Sequence, residues 1–154
     1  MHLLEVIMGI DKNKRGWKAK PGQIEGPRIW LPLDVLQSEA FASVPNSSKA
    51  LLVCVAAQLR GKGGVQNNGD LVTCIKVLKR YGWKSEKTIR SAAKKLEEKN
   101  LLCKTRQGQL PNKPNLYAVT WLPLNESDKL DITNKGFPYL GYKLFDRLNL
   151  EVNR

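Results

Sequence analysis

The chain has 154 residues, with 26 Lys+Arg against 14 Asp+Glu and a formal net charge of +12. That length suits one ordinary domain with additional segments and excludes two large ones. The 42% apolar and 26% charged content is a globular mixture that can build a core. So cationic a chain favours polyanionic partners, with nucleic acid first and an anionic membrane surface as the rival.

The charge is unevenly placed. Residues 71–114 hold twelve cations and three anions, whereas residues 32–70 and 115–154 are each balanced. Residues 1–31 hold six cations and three anions. One block therefore carries most of the excess.

In chain order, residues 1–10 are apolar. Glu5 interrupts them, no basic region precedes them and no small-residue cleavage site follows, so no secretory signal is expected. No apolar run approaches the ~18 residues of a membrane span, and the expectation is a soluble cytoplasmic protein without membrane contact. Residues 1–27 read as a basic N-terminal extension. Its stretch from Asp11 to Gly22 is rich in breakers and suits either solvated disorder or an arm that touches phosphates.

Leu33 to Phe41 has helical spacing, with Pro32 suited to a first turn. Asn46, Ser47 or Ser48 can cap the next helix. It is expected to run to about Leu59, with Leu51, Leu52, Val55, Ala56 and Leu59 as its apolar stripe. Gly61-Lys-Gly-Gly64 ends it. That run lacks the phosphate-loop pattern, so it reads as a loop that continues through Asp70.

The next unit is a helix from Thr73, a short turn at Gly82-Trp83-Lys84, and a second helix from Ser85 to about Lys99. A helix, a glycine-containing turn and a helix form a recognised unit. At 100° per residue, Ile89, Ala92, Ala93 and Leu96 share one face of the second helix. Lys87, Ser91, Lys94 and Glu98 share the other, flanked by Arg90 and Lys95. Asn100 suits the C-terminal cap. Leu101–Arg106 and Leu116–Trp121 read as strands around a breaker-rich loop, which makes a hairpin. The expected fold class is α+β, mainly α: a winged helix-turn-helix over residues 28–123. Residues 124–154 are expected to be a tail with one short helix around Leu140, Leu144, Phe145 and Leu148. That helix packs on its own domain or serves a homodimer contact.

A helix that enters the DNA major groove needs a cationic outer face and an apolar inner one. The 85–99 helix has both. Ser85, Lys87, Thr88, Arg90, Ser91 and Lys94 are candidates for base edges, with Arg90 suited to bidentate reading of guanine. Lys84 and Lys95 suit phosphates. Lys104, Arg106, Gln107, Asn112 and Lys113 on the hairpin suit the backbone or the minor groove. Trp83 and Trp121 are expected to pack rather than to stack on bases, Trp83 over the seam between the two helices.

Catalysis has little to work with. The one histidine is His2, and no nucleophile–base pair or carboxylate cluster is visible. Cys54, Cys74 and Cys103 lack metal or disulfide spacing and read as buried free thiols. Neither an enzyme nor a cofactor is expected.

Four short stretches stand in an order that resembles a known group. They are Asn67-Asn-Gly-Asp-Leu71, Tyr81-Gly-Trp-Lys-Ser85, Lys104-Thr-Arg-Gln-Gly108 and Leu116-Tyr-Ala-Val-Thr-Trp-Leu-Pro123. The chain from about Gly26 to Pro123 resembles winged helix-turn-helix proteins of bacterial integrative elements, plasmids and phages, and Trp30-Leu-Pro-Leu33 looks like the start of that module. The resemblance implies double-stranded DNA as partner, in a bacterial, nucleoid-associated setting. The leading expectation is a sequence-specific transcriptional regulator of a mobile element. The alternatives are a replication or plasmid-maintenance protein and a non-enzymatic module that docks on a protein partner in a nucleoprotein complex.

Overall fold

The computed structural model describes residues 21, 22 and 26–153. His2, Trp17 and most of the expected N-terminal extension lie outside them. Among the described residues the chain is α+β and mainly helical: five α-helices lead into a two-stranded antiparallel hairpin, and a sixth follows. Among the described residues no helix is long and apolar enough to cross a membrane.

The helix expected over 33–41 is two helices, α1 (Leu33–Leu36) and α2 (Glu39–Ser43). Ser38 divides them. Its hydroxyl accepts from Phe41 N at 3.2 Å and donates to Val35 O at 2.6 Å, so a side chain ends one helix and caps the next. The third helix, α3 (Asn46–Ala56), follows Pro45 directly and has no side-chain cap. Ser48, one of the three expected caps, instead donates to Ala92 O at 3.1 Å, 44 residues away. The helix also stops short of Leu59, because amides take over the backbone groups beyond it. Gln58 pairs with both backbone groups of Val72, at 2.8 and 3.0 Å. Asn67 accepts from Arg60 N and donates to Gln58 O.

Asn68, in the stretch read only as loop, is fully buried. Its amide donates toward Val119 O, Leu122 O and Pro123 O at 2.9–3.1 Å and accepts from Val119 N at 2.8 Å. One side chain thereby stitches this loop to the end of the hairpin. An unpaired buried polar group costs about 1–3 kcal/mol, so this amide is a strong constraint.

The short helix α4 (Ile75–Leu78) begins two residues after the expected Thr73 and tightens into a 3₁₀ turn at Lys79–Tyr81. Gly82 then turns at φ 88°, a left-handed conformation that costs glycine little. The long helix α5 (Glu86–Glu98) follows. Ser85 caps it through an Oγ that accepts from Thr88 N at 3.2 Å. At its other end Asn100 has φ 52°. Leu101 N reaches Leu96 O and Asn100 N reaches Glu97 O, both at 3.0 Å, a paired closure that satisfies otherwise orphaned carbonyls. Leu96 and Leu101 are both fully buried.

The strands β1 (Leu102–Arg106) and β2 (Leu116–Val119) pair with Leu102 opposite Val119 and Lys104 opposite Tyr117. The register shifts between Lys104 and Arg106, which leaves Thr105 as the extra residue of a bulge. On the other edge of β2, Leu71 exchanges two backbone hydrogen bonds with Tyr117, at 3.0 and 2.8 Å. All four β2 residues are buried, because the hairpin is covered on both faces. Leu102, Tyr117 and Val119 join the helical core. Ala118 packs in a second cluster with Leu124 and Phe137, against which Cys103, Leu130 and Ile132 rest.

The segment expected as a tail supplies that second layer. Asp131 N donates to Thr105 O at 2.7 Å, and its carboxylate accepts from Gln107 N at 2.8 Å. The last helix, α6 (Lys143–Val152), starts later than Leu140, which sits at φ 55°. It packs on the same chain, against α2. Tyr142 Oη donates to Asp34 Oδ2 at 2.6 Å, Lys143 Nζ lies 3.1 Å from the same oxygen, and Asp146 accepts from Glu39 N at 2.8 Å.

Candidate nucleic-acid interface

The α5 helix is anchored before it is charged. Ile89, Ala92, Ala93 and Leu96 are its buried residues, as the spacing requires. Lys87, Ser91, Lys94 and Glu98 are exposed on the opposite face. Two alanines on the inner face let α5 approach α3 closely enough for Ser48 to bond the backbone at Ala92.

The structure separates the two flanks. Glu86, Ile89 and Arg90 share an open cleft of about 220 Å³ with Thr73, Cys74 and Ile75 from the start of α4 and with Pro114, Asn115 and Tyr117 from the returning arm of the hairpin. Arg90 therefore stands on the flank that meets the hairpin. Thr88, with Lys84 and Ser85, lines a groove on the other side against Ala50, Cys54, Tyr81, Gly82 and Trp83. Lys95 falls on this second flank by its helical angle. Trp83 is half-buried, and its Nε1 points to Cys54 Sγ at 3.5 Å. That contact ties the turn between α4 and α5 to α3. Trp121 is buried in the core.

The candidate residues are not equally free. Lys84, Lys87, Thr88, Ser91, Lys94, Lys95, Gln107, Asn112 and Lys113 are exposed. Ser85 is exposed as well, but its hydroxyl oxygen already caps the helix. Arg90 lies 3.9 Å from Glu86 with both side chains mostly in solvent, a pairing worth little. Lys104 is half-buried, 3.3 Å from Gln107 Oε1 and 3.9 Å from Glu97. Arg106 is also half-buried, and its guanidinium donates to Pro114 O at 3.1 Å across the hairpin. Arg106 thus braces the hairpin and Lys104 is engaged by Glu97 and Gln107, whereas Lys113 and the α5 lysines project.

Glu97 shapes the local electrostatics. Burial pushes its carboxyl above the usual value of 4.5, against the pull of Lys104. Burial, with the Glu97 charge nearby, raises the Cys103 thiol to about 11 and the Tyr117 phenol above its usual value. The three cysteines are free and only half-buried. A thiol held this far up carries almost no thiolate at neutral pH.

Sequence reasoning left out three exposed cations of the basic 71–114 block. Lys76, Lys79 and Arg80 are exposed on α4 and the turn after it, and Lys76 follows cleft-lining Ile75. A helix of four residues is too short for periodicity to mark its faces. Among the described residues, no group of three or more His, Cys, Asp or Glu could hold a metal ion. Comparisons with protein-family models, with curated proteins and with solved structures found no match.

Proposed function

We propose that the protein binds double-stranded DNA as a winged helix-turn-helix module. In this reading α4 and α5 are the helix-turn-helix, α5 is the recognition helix and the hairpin is the wing. The observation that carries it is the cleft in which the N-terminal half of α5 meets the returning arm of the hairpin. Lys87 and Lys94 project from the adjoining outer face. A recognition helix with a second cationic element beside it can read one groove and hold the neighbouring backbone.

Arg90, Lys87, Thr88 and Ser91 then face base edges, while Lys84, Lys94, Lys95 and Lys113 face phosphates. Base-edge candidates along the N-terminal half of α5, with Lys87 and Ser91 on its outer face and Arg90 and Thr88 on its two flanks, support a sequence-specific regulatory role in the mobile-element setting that the resemblance implies. Four to six phosphate contacts give a log–log salt slope of roughly −4 to −5. Fluorescence anisotropy on a random duplex over a salt series tests this, comparing the native chain with Lys87, Arg90 and Lys94 all changed to Ala. Salt-steep binding that the triple variant loses supports the reading; salt-indifferent binding, or equal binding by both proteins, sinks it.

One observation favours a protein-docking role in a nucleoprotein complex. Leu144, Leu148, Leu150 and Val152 are exposed on α6. A stable partner that co-purifies after nuclease treatment supports that second reading.

A further inference from the structure

We propose that the tip of the hairpin is an apolar wedge for the DNA minor groove, with Leu110 entering a base step and kinking the duplex. This inference rests on the duplex-binding reading above. Leu110 is 99% exposed, more than any other large apolar side chain among the described residues. An isolated exposed leucine is ordinary; the way this one is held and what surrounds it are not.

The tip is braced immediately behind the leucine. Gln109 and Lys113 exchange two backbone hydrogen bonds, each 2.9 Å. Gly108 N donates to Asn115 Oδ1 at 2.6 Å. A Cβ on Gly108 would stand 2.7 Å from Asn115 N, so the two arms close on each other with no space between. A side chain presented by a backbone already fixed loses less freedom on insertion than one on a loose loop.

The neighbours fit one groove. Leu110 and Pro111 are flanked by the amides of Gln109 and Asn112 and the ammonium of Lys113. The minor groove offers acceptors to amide and ammonium donors. Proteins that bend DNA there combine such donors with leucine or proline wedges that part a base step. Pro114 lies in the cleft beside α5, so the turn at 110–112 is the continuation of the hairpin arm that meets that helix.

The probe is a short A·T-rich duplex with a single central TpA step, the kind most easily kinked. It carries end labels for energy transfer and 2-aminopurine at the step. At saturation the native protein should shorten the end-to-end distance, as a kink of about 20–90° requires, and brighten the 2-aminopurine. Leu110→Ala should keep affinity within about tenfold, since phosphate contacts dominate it, and leave the duplex straight. Leu110→Met should restore both signals. If Leu110→Ala bends the duplex as fully as the native chain, or if the native chain binds without bend or brightening, the wedge is overturned while duplex binding stands. If the native protein does not bind the duplex at all, the reading beneath the wedge fails and the wedge with it.

Discussion

The helices α5 and α6 are both amphipathic, yet they are fastened to the protein in opposite ways. The first buries four residues and turns lysines outward. The second buries none of its own residues, and Leu144 and Leu148 stay 50% and 47% exposed. Its hold is polar: Tyr142 and Lys143 on Asp34, and Asp146 at the start of α2. Phe145 adds partial burial beneath the Lys99 ammonium, 4.8 Å away. An apolar stripe in a sequence thus marks a helix without saying which face meets the core. What decides is whether the surrounding elements offer an apolar surface or a set of hydrogen-bonding groups.

The largest test of this contrast is Leu96→Ala. It empties a fully buried site and should cost about 2–5 kcal/mol, read from the shift of the urea midpoint at unchanged slope. Tyr142→Phe comes next. It removes the hydroxyl that reaches Asp34 and should cost about 1–2 kcal/mol. Hydrogen exchange should show that cost in the amides of α6 and not in those of α5; a uniform change across both would contradict separate fastening.

Acidity separates the two helices by sign. Burial raises the folded-state Glu97 carboxyl above 4.5, so its charged form is disfavoured in the fold. Stability on the α5 side should rise as pH falls through that raised value toward 4.5. Glu97→Gln should flatten this rise in a urea-midpoint profile. Asp34 behaves oppositely. Its hydrogen bonds from Tyr142 and Lys143 hold its carboxyl below 3.8. Its contribution is present above 3.8 and is lost as pH falls through the lower folded value. The smallest effect belongs to Leu148→Ala on the exposed stripe of α6, which should stay within about 0.5 kcal/mol in the same denaturation assay.

What was legible in the sequence follows the same division. The α5 helix was readable because thirteen residues of strong periodicity fix both faces, with Ser85 and Asn100 marking its ends. The hairpin was readable from its breakers and from the strand-like run at Leu116, while the burial of that strand on both faces emerged only from the fold. Three features were not readable. Ser38 splits a helix because its hydroxyl competes with the backbone, and periodicity does not register that competition. Asn68 looks like any loop asparagine until the chain 51 to 55 residues away folds around it. The attachment of α6 depends on partners 107 and 108 residues distant. At the candidate interface, the exposed lysines were legible from the helical angle. The diversion of Lys104 to Glu97 and Gln107, and of Arg106 to Pro114 O across the hairpin, was not, because it depends on neighbours that only the fold supplies.

The attachment of α6 also has a kinetic consequence. Two of its hydrogen bonds close loops of 107 and 108 residues, and loop closure on that scale must precede any gain from the contacts. The expected order places such bonds on the native side of the folding barrier, after α5 and the hairpin have assembled. Weakening them should leave the refolding rate almost unchanged and steepen escape from the native state. The α6 helix would then act as a late fastening, setting how long the folded protein lasts rather than how quickly it forms.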